Sequence, residues 1–221
     1  MWRLQQRLEA NFGRGCRIAV MLPGKKGERS PIDSKETGLG GDPQTHTGGL
    51  IAIPSPPPKR ASLTSIGLNL SCEESESPNV QGGTFPIAFD SRTKEWKKDA
   101  SAWQKEAAEM SDASDRDALN ALIRTTNVVN VNAVNSQGWA MTQDDLIGEE
   151  KGRRRILSFC LIHASKAICG LGTVALLQDG PKGDLTSHAL EIIRSIEFLE
   201  DVPGSASVAD PMKKPISTPA Q

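Results

Sequence analysis

Residues 154–177 read RRILSFCLIHASKAICGLGTVALL, and this stretch decides the fold that the sequence predicts. Up to His163 the two faces alternate, with Ile156 and Ser158 on one and Leu157 and Phe159 on the other. From residue 167 to 177 an apolar run rich in Val, Ile and Leu follows. A period of two is typical of a β-strand. We therefore expect an antiparallel hairpin that turns at Ala164 and Ser165.

A second hairpin is predicted just upstream. Val129 and Val131 alternate with asparagines, residues 136–138 (Ser-Gln-Gly) provide a turn, and residues 139–142 begin a return strand. The two hairpins together predict a four-stranded antiparallel meander. Residues 17–22 and 64–72 predict two further strands, the second with alternating apolar side chains.

Three stretches of the chain show the apolar spacing of an α-helix. Apolar residues recur every three or four positions over 94–110, at Trp96, Ala100, Trp103, Ala107 and Met110. A second helix is expected after Ser114, which with Asp117 resembles a capping box, and its buried stripe is Ala118, Leu119, Leu122 and Ile123. A third helix, capped by Asp184, is expected to cover the sheet with one apolar side, formed by Leu185, Ala189, Ile192, Ile193 and Ile196. The predicted class is α+β, with two to three helices packed on an antiparallel sheet.

Composition indicates how the 221 residues are organised. Only 37% are hydrophobic and 4% aromatic, below the usual apolar share, so part of the chain is expected to be unstructured. Residues 23–61 contain seven Pro and seven Gly and predict a long mobile loop. Residues 203–221 contain four Pro and no aromatic residue and predict a disordered tail. Residues 1–202 are then expected to form a single α+β domain that carries this loop.

Four cysteines allow three disulfide pairings. If the hairpin pairs about Ala164 and Ser165, Cys160 lies opposite Cys169 at a non-hydrogen-bonded position, where Cα atoms are about 4.5 Å apart and within disulfide range. A second bridge between Cys16 and Cys72, closing the long loop, is consistent with their two strands. Two bridges would imply an oxidising compartment, most simply a bacterial periplasm. The alternative is four buried thiols in a cytoplasmic protein.

Charge and hydropathy exclude some classes of function. The chain has 26 Lys and Arg against 27 Asp and Glu, a net charge of -1, which disfavours non-specific nucleic-acid binding. No apolar stretch approaches the roughly 20 residues of a membrane helix, so membrane insertion is not expected. The longest apolar run near the N-terminus, residues 18–22, is too short for the core of an export signal. Either the chain is cytoplasmic or a natural leader is missing from it.

Catalytic and metal-binding motifs do not emerge from the spacing of reactive residues. The three His, at 46, 163 and 188, and the four Cys form neither CxxC nor HExxH, so we expect no metal site and no cofactor. Residues 170–172 (Gly-Leu-Gly) lack the third glycine of a phosphate loop and are expected to serve packing. His163 follows Cys160 by three residues and faces the opposite side of a strand, which disfavours a Cys–His dyad. An enzyme is therefore not expected.

Two acidic groups are candidates for binding a basic protein partner. Asp144, Asp145, Glu149 and Glu150 precede a run of Lys and Arg, and Glu73 and Glu74 form an acidic turn after a predicted strand. The alternative is that these charges are ordinary solvated surface.

The order of elements resembles the fold shared by the photosystem extrinsic subunit PsbP and the bacterial lipoprotein DcrB. Residues 154–200, especially the segments LSFCL (157–161) and AICG (167–170), also resemble immunity proteins encoded beside type VI secretion effectors. The second resemblance implies a non-enzymatic inhibitor that binds a toxin and carries over no particular binding residue.

We therefore expect a binding protein, an immunity protein that covers the active site of a cognate secreted toxin. The alternative is a periplasmic ligand-binding or accessory protein of the PsbP and DcrB type, with a small-molecule pocket under Trp96, Trp103 and Trp139. A hydrolase whose distant residues assemble on folding is a third possibility. The sequence indicates no particular oligomeric state.

Overall fold

A computed structural model of the protein describes residues 4–23, 38–54, 61–75, 86–146 and 148–200. The strands, in chain order, are β1 (Leu4–Asn11), β2 (Arg17–Pro23), β3 (Gly38–Asp42), β4 (Thr47–Ala52), β5 (Ile66–Glu74), β6 (Ile87–Asp90), β7 (Glu95–Lys98), β8 (Asn127–Asn132), β9 (Gln137–Asp145), β10 (Arg154–His163), β11 (Lys166–Leu176) and β12 (Glu197–Leu199). The α-helices are α1 (Ser101–Glu109), α2 (Ala113–Thr125) and α3 (Thr186–Arg194), and short 3-10 helices cover Glu150–Gly152 and Leu177–Gly183. The predicted α+β class with antiparallel sheets is confirmed.

The largest sheet has the strand order β3-β4-β5-β11-β10-β9-β8, and all of its pairs are antiparallel. Strands β8 to β11 follow one another in sequence and in space, so the predicted four-stranded meander is confirmed. In the β10–β11 hairpin His163 lies opposite Lys166, and Cys160 lies opposite Cys169. The register that a turn at Ala164 and Ser165 predicts is therefore present.

One face of the large sheet builds the main core. Leu157, Phe159 and Leu161 alternate along β10 towards this face and are fully buried. A smaller sheet of order β1-β2-β12 and helix α3 contribute to the same core. Helix α3 and the residues that flank it contribute the predicted apolar side, with Leu185, Ala189, Ile192, Ile193 and Ile196 each at most 2% exposed. The expectation that the last helix covers the sheet is confirmed.

The opposite face carries a second apolar cluster. Trp139, Met141 and the bridged pair Cys160 and Cys169 are buried there, together with Ala167. A third sheet, the two-stranded hairpin β6–β7, packs Ile87 and Trp96 against this cluster. The central strands are thus buried on both sides, which explains why residues 167–177 show an apolar run in place of strict alternation.

Gly170 and Gly172 lie within β11 and serve packing, as expected. A Cβ atom at Gly170 would overlap the ring of Phe159 and the side chain of Leu70, and one at Gly172 would overlap the backbone of Gly67. The missing side chains let neighbouring strands and their large side chains approach closely.

Both disulfides of the predicted pairing, Cys160 with Cys169 and Cys16 with Cys72, are formed. Cys160 and Cys169 are joined across the β10–β11 hairpin with a Cα–Cα distance of 4.0 Å. Cys16 and Cys72 are joined with a Cα–Cα distance of 6.0 Å and link the start of β2 to β5. The first bridge lies within one hairpin, whereas the second ties the small sheet to the large one.

The helix predicted over 94–110 is correct only in its second half. Residues Glu95–Lys98 form strand β7, and α1 begins at Ser101. The backbone N–H of Ser101 donates a hydrogen bond to the Asp99 carboxylate at 3.0 Å. Trp96 therefore belongs to the hairpin and Trp103 to the helix. The helical spacing of the two tryptophans is coincidental, since Trp96 is placed by pairing with Phe89.

The start of the second helix also differs by two residues. Asp112 caps α2, its carboxylate accepting hydrogen bonds from the backbone N–H groups of Ser114 and Asp115. Asp and Ser are equally good N-cap residues, so the sequence alone does not distinguish a start at Asp112 from one at Ser114. Of the predicted stripe, Ile123 is buried and the remaining members are half-buried.

The expectation that residues 23–61 form one long loop is wrong for part of that range. Residues 38–42 and 47–52 pair as the β3–β4 hairpin, whose turn is closed by the Asp42 side chain. Glycine is needed here because a Cβ atom at Gly41 or Gly48 would meet neighbouring backbone. Close strand packing therefore accounts for Gly41 and Gly48, whereas Gly38 and Gly40 have open space around them. Residues 24–37 and 55–60, and the predicted tail at 203–221, lie outside the described residues.

Within the described ranges, the helices are all too short or too polar to span a lipid bilayer.

We expect the two disulfides to contribute unequally to stability. A bridge stabilises mainly by restricting the unfolded chain, and more so for a longer loop, which gives about 4 kcal/mol for the sequence separation of 56 and about 3 kcal/mol for the separation of 9. The double variant Cys16→Ala/Cys72→Ala should therefore have a lower free energy of unfolding than Cys160→Ala/Cys169→Ala, measured by urea denaturation. Each variant retains the other bridge as its control, and the reverse order would contradict the loop-length argument.

Candidate functional site

The six acidic residues predicted to bind a partner fall into two separate places. Glu73 and Glu74 lie at the end of β5, beside the turn of the β10–β11 hairpin, because Glu74 is opposite Lys166. Asp144 and Asp145 lie at the other end of β10, opposite Arg155 and Arg154. Ten residues of strand span about 30 Å, so the sheet holds the two groups far apart. One partner surface containing all six is not formed.

At the first place, Glu74 is already paired. Its carboxylate accepts a hydrogen bond from Lys166 Nζ at 2.6 Å, with 58% of the Glu74 side chain exposed. An exposed pair of this kind contributes roughly 0–1 kcal/mol. Glu73 is half-buried beside it, opposite Ala167. One of the two predicted carboxylates at this end of the sheet is thus already paired with a cation.

At the second place, Asp144 belongs to an ion bridge centred on Arg155. The guanidinium donates to both Asp144 carboxylate oxygens, at 2.6 and 2.9 Å, and to Asp184 at 2.7 Å. Hydrogen bonding to Asp144 is the main effect that raises the pKa of Arg155, against the opposing effect of burial. The Asp144 side chain is only 16% exposed. Asp144 therefore joins β9 to β10 through Arg155.

Asp184 extends this ion bridge to a helix. Its second carboxylate oxygen accepts hydrogen bonds from the backbone N–H and the hydroxyl of Thr186 at the start of α3. The expectation that Asp184 caps this helix is confirmed. Arg155 thereby fastens β9, β10 and the N-terminus of α3 to one another.

The loop between β9 and β10 follows this ion bridge in the chain. We call Leu146, Gly148, Glu149 and Glu150 the acidic tip; all four are exposed, Leu146 to 38%. The end of the loop is held by a hydrogen bond from Leu177 N–H to the Arg153 carbonyl at 2.9 Å. Of the six predicted binding residues, Glu149 and Glu150 are thus the pair most open to solvent.

Cysteine chemistry with His163 is blocked by pairing. Cys160 is bonded to Cys169 and has no thiol that a base could activate. His163 Nδ1 lies 2.7 Å from the Asn135 carbonyl oxygen, and its ring stacks on Phe198 with a centroid distance of 5.1 Å. The imidazole therefore helps to attach β12 to the large sheet.

Two of the three tryptophans proposed to line a pocket meet. The rings of Trp96 and Trp139 have centroids 6.4 Å apart, and the ring of Phe89 lies 5.2 Å from that of Trp96. Trp139 is buried and Phe89 is 45% exposed, so the row of rings runs from core to surface. Trp103 lies on α1, a different element.

Sequence reasoning missed the side chain that attaches the β6–β7 hairpin. The Asn130 amide on β8 accepts a hydrogen bond from the Trp96 backbone N–H at 2.7 Å and donates one to the Trp96 carbonyl at 3.1 Å. The Asn130 side chain thus makes the two hydrogen bonds that the backbone of a neighbouring strand would otherwise make. The only sequence signal is an asparagine repeated at alternate positions of a strand, which does not reveal its partner.

The turn of this hairpin is held by Asp90. A hydrogen bond from Lys97 Nζ at 2.8 Å is the main effect that lowers the pKa of Asp90 to about 2, and the backbone N–H groups of Arg92 and Thr93 act in the same direction. The turn is therefore closed by an ionised carboxylate at neutral pH.

Among the residues that the structure describes, no three His, Cys, Asp or Glu side chains gather in an arrangement that could hold a metal ion.

No protein-family model matches the chain. A search of curated proteins likewise finds no significant match.

We expect Arg155→Met to lower the free energy of unfolding by about 1–2 kcal/mol, because it leaves two partly buried carboxylates without their cation. Urea denaturation measures this loss. Arg92→Met, which removes the same charge at an exposed turn, is the control and should change stability by less than about 0.5 kcal/mol. Equal stability of the two variants would show that the ion bridge is not structural.

We expect Lys97→Met to raise the pKa of Asp90 from about 2 towards its ordinary value, with the two backbone hydrogen bonds keeping the shift incomplete. Because the pKa is lowered in the folded protein, this carboxylate stabilises the turn above the ordinary carboxyl pKa, and the contribution disappears as the pH falls towards 2. Carboxyl-carbon NMR titration measures the shift. Lys94→Met in the same turn is the control, and an unchanged Asp90 pKa in Lys97→Met would contradict the assignment.

Proposed function

We propose that the protein is a non-enzymatic binding protein that neutralises a cognate secreted antibacterial toxin by covering its active site. The observation that carries the proposal is the acidic tip, an exposed loop whose base is fixed by the Arg155 ion bridge. A loop whose two ends are fixed before binding loses less conformational entropy when it docks, so more of the contact energy appears as affinity.

The chemistry of the tip favours a basic protein partner. Glu149 and Glu150 provide two negative charges, which accelerate encounter with a positive surface, and the exposed Lys151 that follows them offsets one of these charges. The exposed Leu146 provides an apolar anchor beside these charges, and interfaces typically combine a few desolvated anchors with a charged rim. A toxin that cleaves or binds polyanionic substrates has a basic active site of the kind such a tip would cover.

The two disulfides support an oxidising compartment, since such bridges are rare in proteins kept in a reducing cytoplasm. We propose the bacterial periplasm, where an immunity protein would meet a toxin delivered into the cell envelope. A cytoplasmic location is the alternative and would require both bridges to be reduced or protected.

A ligand-binding role of the PsbP and DcrB type is the second candidate. The observation in its favour is the row of aromatic rings that reaches the surface at Phe89. A small apolar ligand seated there would change the fluorescence of Trp96, whereas a toxin docked on the acidic tip would leave it unchanged, so the two candidates give different signals.

We expect the product of the adjacent gene to co-purify with this protein and to poison cells that lack it. The double variant Glu149→Lys/Glu150→Lys should lower the association rate at least about tenfold at low salt, because charge reversal repels a basic partner. Surface plasmon resonance measures the rate at two salt concentrations.

The matched control is Glu106→Lys/Glu109→Lys, which makes the same charge change on the exposed side of α1. An equal loss in both variants would indicate only a net-charge effect and would exclude the tip as the docking site. A neighbour that neither binds nor poisons cells would refute the immunity function.

A further inference from the structure

The two disulfides differ in what would happen if they opened. Cys160 and Cys169 are nine residues apart and lie on strands that are paired in regular register from Ile156 to His163. Breaking this bond leaves the ladder in place. Cys16 and Cys72 are 56 residues apart and link two different sheets. Opening of the hairpin bridge would therefore leave the two strands joined by their backbone, whereas opening of the other bridge would remove a link between sheets.

The hairpin bridge is covered by the β6–β7 hairpin. Both of its cysteines are fully buried, and Trp139 lies directly opposite Cys160 on the neighbouring strand. Trp96 and Ile87 of β6–β7 pack over this cluster. A reductant in solution reaches the sulfur atoms only when these side chains move away.

The cover is attached by a small number of identifiable contacts. A two-stranded sheet has little stability of its own, so β6–β7 depends on its attachment. The Asn130 amide holds the Trp96 backbone through two hydrogen bonds, and Lys98 Nζ donates to the carbonyls of Ile123 and Thr126 at the end of α2. Local opening of such an element requires less free energy than global unfolding.

We propose that the Cys160–Cys169 bridge is a redox site whose access is controlled by the β6–β7 hairpin, and that its reductant is a dithiol. When the hairpin opens, one thiolate of the dithiol attacks a sulfur of the bridge, which breaks the Cys160–Cys169 bond and forms a mixed disulfide. The second thiol of the dithiol then attacks that mixed disulfide. The dithiol leaves as a disulfide, having given up two electrons and two protons, and both cysteines remain as thiols.

Dithiothreitol is the probe for this reaction. Samples of the full-length protein are reduced for different times under native conditions and alkylated, and the two bridges are followed separately by peptide mass spectrometry. Cleavage after Lys166 places Cys160 and Cys169 on different peptides, so their alkylation is read directly. Asn130→Ala removes both amide hydrogen bonds and should accelerate reduction of Cys160–Cys169 about 5- to 30-fold.

Two controls accompany this variant. Asn132→Ala makes the same change two residues along β8, at another exposed position, and should leave the rate unchanged. The Cys16–Cys72 bridge, measured in the same samples, should react at the wild-type rate in every variant. Circular dichroism of the protein reduced only at Cys160 and Cys169 should retain the native spectrum.

Three results would overturn the proposal. An unchanged rate in Asn130→Ala means that the hairpin does not control access. Equal acceleration of both bridges means that reduction follows global unfolding. Loss of the native spectrum on selective reduction means that the bridge is purely structural. If Asn130→Ala does not fold, Lys98→Met loosens the other end of the hairpin, and it must give the same selective acceleration.

Discussion

The antiparallel pairing of β10 with β11 determines where every other layer of this protein lies. Its register places Leu157, Phe159 and Leu161 on one face, and Cys160 with Cys169 on the other. A shift of one residue would exchange the two faces and expose the main core. The cross-strand disulfide fixes that register covalently. The small sheet and α3 then cover one face, and the β6–β7 hairpin covers part of the other.

The features that local patterns specify could be predicted from the sequence. The meander, helix α3 and the Cys160–Cys169 pair follow from alternation, helical spacing and the geometry of a two-residue turn. The β3–β4 hairpin could not be predicted in this way, because its glycines resemble a loop by composition. Gly41 is explained by the backbone of Asn11, which lies 30 residues earlier and which local composition cannot reveal.

In the candidate site too, the features set by local sequence could be predicted and those set by distant contacts could not. Glu149 and Glu150 are exposed, as their charge pattern predicts. Asp144 belongs to the same acidic run but is paired with Arg155. Its partner Asp184 is 29 residues beyond Arg155, and a charge count cannot reveal that contact. Asn130 is a comparable case, since its two hydrogen bonds reach 34 residues back to Trp96. Tertiary contacts of this length depend on the whole fold.

The separation of the two cysteine pairs along the chain bears on how the oxidised protein is reached. Four cysteines can pair in three ways, but Cys160 and Cys169 meet as soon as a local hairpin forms, before any distant segment has arrived. Once they are joined, Cys16 has a single remaining choice, Cys72. Local strand pairing thus directs the long-range cross-link by elimination, and a newly made chain can reach the correct connectivity without reshuffling.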